Sequence, residues 1–239
     1  MEETEHTNLI PYLRSKLKDD GGLTFALIGS SRSGKTTLLV EILEHVFDED
    51  YVEGKKDRKP IIMILTTSPD ADPLVNYRSE LPVYPLGHTS QLVKQARGHN
   101  RKWKNKHQFV FVYDDVLELR HNRTLNQMIL TDRNKDISSI ISTQYPGVIS
   151  KEARTNINFV FLLYMFGEGH EMIVEKFLRG HLPQEWSKRR MEEFYSFWTH
   201  KKQGRGFLIN NLDNGVFFVD DQRSIFPLSE VVELFENVK

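Results

Sequence analysis

Cysteine is missing from the chain altogether. Its absence removes disulfides, thiolate zinc sites and thiol nucleophiles together, and fits an intracellular protein. An excess of one charge is missing as well: 32 Lys and Arg stand against 33 Asp and Glu, for a formal net charge of −1. With no global basic excess to mark a nucleic-acid binder, any such contact must be local. Long apolar runs are also lacking. The longest, such as 159–166, fall far below the ~20 residues that span a bilayer. The opening MEETEHT is acidic and polar, where a secretory signal needs a basic start and an apolar core. A soluble protein with no membrane segment is therefore expected. What remains is ordinary globular material, 239 residues with 39% hydrophobic and 11% aromatic side chains and no internal repeat. That is enough to bury roughly 70–75% of the surface an unfolded chain exposes, and one large α/β domain accounts for the length.

The apolar pattern alternates between two periods. Continuous apolar runs at 24–29 (TFALIG), 60–66 (PIIMILT), 108–115 (QFVFVYDD), 137–143 (ISSIIST) and 157–166 (INFVFLLYMF) read as buried strands. Between them, helical spacing predicts helices from Lys35 to about Phe47, over much of 89–107 with a cap at Thr89 or Ser90, and over 123–134. Prolines at 69, 73, 82 and 85 make 67–88 an excursion with one short strand near Val83–Leu86. Strands separated by helices imply βαβ units and a largely parallel sheet. Beyond Gly167 come helical patterns at 168–179 and 185–202. A hairpin about Asn214-Gly215 joins GFLINN to GVFFVDD, and a terminal helix covers about 228–237.

Residues Gly29, Ser30, Ser31, Arg32, Ser33, Gly34, Lys35 and Thr36 spell G-x-x-x-x-G-K-[ST] in full, between a predicted strand and a predicted helix. The glycines let backbone N–H groups turn inward around an anion, and the helix starting near Lys35 adds its positive N-terminal dipole. Lys35 reaches the β- and γ-phosphates of a nucleotide such as ATP, Thr36 coordinates Mg²⁺, and Thr37 extends the cradle. The second half of the site is Asp114 and Asp115, at the C-terminal end of an apolar strand, the edge where open α/β sheets bind ligands. Asp114 suits Mg²⁺ and Asp115 suits a water-orienting or proton-accepting role. An Asp-Asp turn capping the next helix is the bland alternative. Gln144, ending the run ISSIIST, can hydrogen-bond a phosphate oxygen or face solvent.

The ordered set GSSRSGKTT (29–37), FVYDDV (111–116), RNKDISSIISTQYPGVI (133–149), ARTNINFVFL (153–162) and the late FLINN…NGVFFV hairpin resembles the FtsK/HerA superfamily of P-loop ATPases. Within it the likeness is to the DNA-packaging ATPases of large nucleocytoplasmic DNA viruses, the poxvirus-type packaging ATPases, and it covers roughly residues 22–222. The resemblance implies that the strand after the two acids lies between the acid strand and the phosphate-loop strand, with Gln144 as γ-phosphate sensor. It further implies a homo-oligomeric ring, a hexamer or pentamer, in which Arg133, or as second candidate Arg154, enters the neighbouring subunit's site as an arginine finger. Many members carry Glu as the second acid; this chain has the shorter Asp115, as in the viral packaging branch.

The resulting expectation is an α/β, RecA-like P-loop NTPase with a mainly parallel central sheet flanked by helices, plus a C-terminal β-hairpin and helical additions. Residues 1–22 form an N-terminal extension, 23–227 the ATPase domain with a helical insertion at about 168–203 and the hairpin at about 206–221, and 228–239 a C-terminal helix. Hydrolysis of ATP with Mg²⁺ rests on the residues. Translocation of double-stranded DNA into a capsid, with capsid or portal partners, rests on the resemblance. So does a virus-encoded protein acting in host cytoplasm, viral factory or virion. A helicase or conjugation-type DNA pump of a mobile element shares every motif; a P-loop kinase or a non-hydrolysing assembly factor shares fewer. Two segments concentrate positive charge, 94–107 and 188–205. Either could follow a phosphate backbone without reading sequence, or simply be a solvated face. Trp186, Phe194, Tyr195, Phe197 and Trp198 suit packing of the second helix onto the sheet better than stacking on bases.

Overall fold

The apolar runs assemble into one nine-stranded sheet in the computed structural model, which describes residues 7–19, 22–47, 60–67, 81–103, 108–114, 116, 123–132, 135–199 and 205–238. The strands are β1 (Thr24–Ile28), β2 (Ile61–Thr66), β3 (Val83–Pro85), β4 (Phe109–Asp114), β5 (Ile137–Thr143), β6 (Phe159–Leu163), β7 (Gly206–Asn210), β8 (Gly215–Val219) and β9 (Ile225–Pro227). Their spatial order is β3-β2-β4-β5-β1-β6-β7-β8-β9. Every pairing from β3 to β6 is parallel, and those from β6 to β9 are antiparallel. β1, β4, β5 and β6 are buried along their whole length. Central parallel strands covered on both faces favour apolar side chains, relieved in β5 only by the small hydroxyls of Ser138, Ser139, Ser142 and Thr143, which is why they appear as nearly continuous runs.

Alternation along each strand divides the core in two. On one face Phe25, Leu27, Val110, Val112 and Ile140 pack with helices α1 (Leu9–Asp19) and α2 (Lys35–His45). On the other, Ala26, Ile28, Phe111, Tyr113 and Ile141 meet a larger helical layer. That layer comprises α3 (Thr89–Trp103), α4 (Arg123–Thr131), α5 (Lys151–Asn156), α6 (Glu168–Ile173), α7 (Lys188–Thr199) and α8 (Leu228–Asn237). A π-helical turn, Val174–Leu178, continues α6. No helix among the described residues is long and apolar enough to cross a membrane.

Three features add to or shift the sequence reading. The residues before 23 include α1, whose Leu9, Leu13 and Leu17 are buried in the same core as β1 and α2. It is tied down at its start, where the Leu9 N–H donates to the Arg223 carbonyl (2.7 Å) and the Ile225 N–H to the Thr7 carbonyl (3.0 Å). The hairpin, expected within the ATPase domain, has its place in the sheet fixed here: β7 pairs with β6 and extends the central sheet, and β9, too short to register as a pattern, closes its edge. The second helix beyond Gly167 begins only at Lys188, after Pro183, with Ser187 accepting the Met191 N–H (3.1 Å).

Candidate active site

The loop between β1 and α2 is shaped by steric necessity. A Cβ at Gly29 would lie 2.4 Å from Ser33 Oγ and 2.9 Å from the Leu163 Cβ, so only glycine leaves the strand here. Gly34 adopts φ 94°, the left-handed region glycine reaches without strain, and α2 starts behind it with no side chain capping its N-terminus. Neighbouring strand ends hold the loop: the Gly29 N–H donates to the Thr143 carbonyl (3.2 Å) and the Ser30 N–H to the Tyr164 carbonyl (2.9 Å). Lys35 is buried, and its Nζ donates to the carbonyls of Gly29 (2.8 Å) and Ser30 (2.9 Å), which keeps the ammonium inside the loop. Ser33 Oγ is buried without a hydrogen-bond partner, and a buried unpaired hydroxyl costs about 1–3 kcal/mol. A glycine-lined cradle at a helix N-terminus, with a lysine inside and an unsatisfied hydroxyl, fits a phosphate.

Asp114 is the last residue of β4 and is buried. It alternates with Val110 and Val112, which face the α2 side of the sheet. β5 lies between β4 and β1, the position the resemblance implied, with Tyr113 opposite Ile141 and Ile28 opposite Thr143. The end of β5 is pinned: Thr143 Oγ1 donates to the Val116 carbonyl (3.0 Å) and accepts the Tyr145 N–H (3.1 Å), while the Val116 N–H reaches the Ser142 carbonyl (3.2 Å). Gln144 follows at once, half-buried. The same sheet edge therefore carries the loop with Lys35, Asp114 and Gln144. Asp115 and Arg133 lie outside the described residues.

The donor set suits Mg²⁺, which takes hard oxygen ligands, one or two from protein and the rest from water and phosphate. Thr36 stands in the first turn of α2, and the Asp114 carboxylate ends the strand one place beyond β5. Among the described residues no three His, Asp or Glu side chains gather into a metal cluster, and this mode of holding Mg²⁺ needs none.

Arg154 occupies the opposite edge. It lies on α5, which leads into the start of β6, and the parallel register sets Phe159 beside Phe25. The phosphate loop leaves the far end of β1, about 16 Å away along five strand residues. The half-buried guanidinium lies over the Phe177 ring (5.2 Å), makes no ion pair among the described residues, and has its pKa lowered by burial. It lines a cavity of about 240 Å³ together with Lys151, Lys176 and His181.

The two basic segments prove unlike. In the later one, Lys188 contacts Glu171 (2.8 Å), Glu175 (3.1 Å) and Glu192 (3.7 Å). Arg189 pairs with Glu193, Arg205 with Asp221, and Arg190 reaches Glu236 while stacking on Trp186. Trp186, Phe194 and Tyr195 are buried in the core, as packing requires. In the earlier segment Arg97 is structural, its Nε donating to both oxygens of the buried Asp132 (2.9 Å each). Lys94, Arg101 and Lys102 are exposed and make no ion pair among the described residues. Lys102 lies over the half-exposed Trp103 ring (5.2 Å). Residues 104–107 and 200–204 lie outside the described residues.

No family model and no curated protein matches the chain. Solved structures do. The genome packaging NTPase B204 of Sulfolobus turreted icosahedral virus 2 in complex with AMPPCP aligns with TM-score 0.53 at 12% identity, covering 83% of this chain and 96% of that one. Its complex with ATP-γS aligns with TM-score 0.53 at 14% identity over the same shares. EssC (ATPases 2 and 3) from Geobacillus thermodenitrificans aligns with TM-score 0.57 at 12% identity over 91% of this chain; the match spans 43% of the EssC chain. The fold is that of a P-loop ATPase. At these identities the likeness is one of fold, and the site's chemistry rests on the residues themselves.

The sequence reading passed over the segment 164–167. It looked like the tail of a strand, yet β6 ends at Leu163, and the backbone of Tyr164 and Phe166 grips Ser30 of the phosphate loop. Gly167, with φ 63°, was the one signal of a turn there.

Proposed function

We propose that the chain is an ATP-hydrolysing motor of the FtsK/HerA type that moves double-stranded DNA, and that its task is packaging a viral genome. The observation that carries the ATPase part is the strand order. A single strand, β5, with Gln144 just past its end, separates the phosphate loop from the acid strand, so binding, metal and sensing groups share one edge. The fold shared with a viral genome packaging NTPase supports the packaging part, and the motif set supports the poxvirus-type branch and a virus-encoded protein acting inside the host cell. The helicase or conjugation-type pump shares the same site and differs only in setting.

In this reading the loop amides and Lys35 hold the β- and γ-phosphates, and Thr36 and Asp114 hold Mg²⁺. The bound metal supplies charge neutralisation between the phosphates. Asp115 orients a water and accepts its proton. The water oxygen bonds to the γ-phosphorus as the bond to the β–γ bridging oxygen breaks. Gln144 contacts the γ-phosphate and reports its departure to β5. Arg154 stands at the wrong edge to serve its own site, which supports a role in a neighbouring subunit's site; Arg133 is the other candidate. Lys94, Arg101 and Lys102 are the described cations best placed to follow a DNA backbone, since the described cations of the later basic segment are matched by acids.

ATP turnover measured with and without long double-stranded DNA, at low and moderate salt, tests the reading. Stimulation by DNA that fades with salt, and that Lys35→Ala and Asp115→Asn abolish, is expected. A Lys35→Ala protein that hydrolyses ATP as fast as the parent would overturn hydrolysis at this site. Turnover indifferent to DNA would overturn the motor.

A further inference from the structure

A second cavity, about 730 Å³, opens beside the phosphate loop. It is lined by Tyr164, Met165, Phe166 and Gly167 on one side and by His170, Glu193, Ser196 and Phe197 on the other, the Glu193 carboxylate being paired with Arg189. Its size falls in the range of small-molecule sites, roughly 300–1,000 Å³, and like them it is apolar with a few polar groups. The floor is continuous with the loop: the Ser30 N–H donates to the Tyr164 carbonyl, and Ser30 Oγ accepts the Phe166 N–H (3.2 Å). The far wall is rigid. Tyr195 of α7 donates its hydroxyl to the Leu163 carbonyl, and Ser196 Oγ sits 3.1 Å from His170 Nε2, which joins α7 to α6.

Phe166 stands out here. It is 66% exposed, next to a glycine at positive φ around which space is open. A large ring held in solvent at the lip of a cavity forgoes about 1.5–3 kcal/mol of burial unless something covers it.

The direction in which a nucleotide lies follows from the strand order. Asp114 and Gln144 stand on the β5–β4 side of β1, so the reacting phosphate points there. The rest of the molecule must run to the other side, where β6 ends in this cavity. We infer that the cavity receives the nucleoside end of the nucleotide whose phosphates the loop holds, with the base stacked on Phe166 and its polar edge toward the His170–Ser196 pair. The inference rests on the nucleotide-binding reading above and adds to it the residues that select a nucleoside.

Calorimetric titration of the full chain with ATP and with inorganic tripolyphosphate, which has no base or sugar, tests it. ATP is expected to bind the parent at least about tenfold more tightly than tripolyphosphate, since stacking a base on an aromatic ring is worth that much or more. Phe166→Ala should weaken ATP by about tenfold and leave tripolyphosphate unchanged, and Phe166→Trp should restore ATP binding. Lys35→Ala should weaken both probes. Equal affinity of the parent for the two probes, or a Phe166→Ala change that is equal for both or absent, overturns the inference while the phosphate site stands. A Phe166→Ala protein that keeps its preference for ATP but changes its sedimentation would make the cavity an interface between copies, and also overturns it. A parent that binds neither probe overturns the nucleotide reading itself.

Discussion

Gly29 does two things that no other residue could do at once. It ends β1 within 3.2 Å of the Thr143 carbonyl, and it leaves room for Ser33 and Leu163 against its Cα. Gly29→Ala therefore forces Ser33 or the loop backbone aside. A destabilisation of about 1–3 kcal/mol in urea unfolding is expected, as for other overpacked sites, together with weaker tripolyphosphate binding because the cradle widens. Retained stability with retained binding would show that the loop gives way freely. The same scale explains why the motif could be read directly: its glycines, lysine and hydroxyls are required by local geometry and by the anion, and need no distant residue to make sense. The cation runs are the opposite case. Lys188, Arg189 and Arg190 stand in a row in the sequence; Glu192 and Glu193 answer the first two from the same helix, but Glu171, Glu175 and Glu236, which answer Lys188 and Arg190, come from other helices. Whether a basic run is a surface for an anionic partner is decided by neighbours that spacing along the chain does not reveal.

Among the elements, α1 had the weakest signature, with a proline at its third position and charged or polar residues interleaved among three leucines. Its helix becomes worthwhile only because β1, α2 and the β8–β9 corner offer Leu9, Leu13 and Leu17 a place to be buried. Leu13→Ala should cost about 2–5 kcal/mol in equilibrium unfolding, the range for truncating a fully buried leucine. A loss under 0.5 kcal/mol would mean that α1 adds little to the core. β9 was invisible for a related reason: three residues carry no period, and Ile225–Pro227 is a strand because β8 presents an open edge to it. The central strands needed no such help, since burial on both faces wrote their positions as apolar runs.

At the scale of the whole molecule the sheet separates two kinds of chemistry. The phosphate loop, Asp114 and Gln144 share the C-terminal edge, and Arg154 lies beyond the other end of β6 with its guanidinium partly desolvated, near Glu152 but with no ion pair among the described residues. A half-buried arginine whose nearest carboxylate is the exposed Glu152 keeps room for a further anion, and its distance from the phosphate loop of its own chain makes action on a neighbouring copy the arrangement to test. Arg154→Ala should lower turnover about 10³-fold or more if it acts on the transferring phosphoryl group. Mixing Arg154→Ala with Asp115→Asn, each inactive alone, should restore part of the activity, since some interfaces then combine an intact acid with an intact arginine. No recovery on mixing, with both variants assembling like the parent, would exclude action between subunits.

The sequence by itself determined the phosphate loop, the place of Asp114 at a strand end, the five core runs that became β1, β2, β4, β5 and β6, the β7–β8 hairpin, and the parallel character of most of the sheet. Each of these depends on local sterics or on burial so complete that it leaves a mark at every position. The tertiary structure alone decided the strand neighbours beyond the β4-β5-β1 order and the hairpin itself, that the hairpin continues the sheet, that α1 belongs to the core, and which cations already have partners. It also decided that Phe166 stands beside the phosphate loop. Those outcomes arise from contacts between residues far apart in the chain, whose free energy no local pattern records.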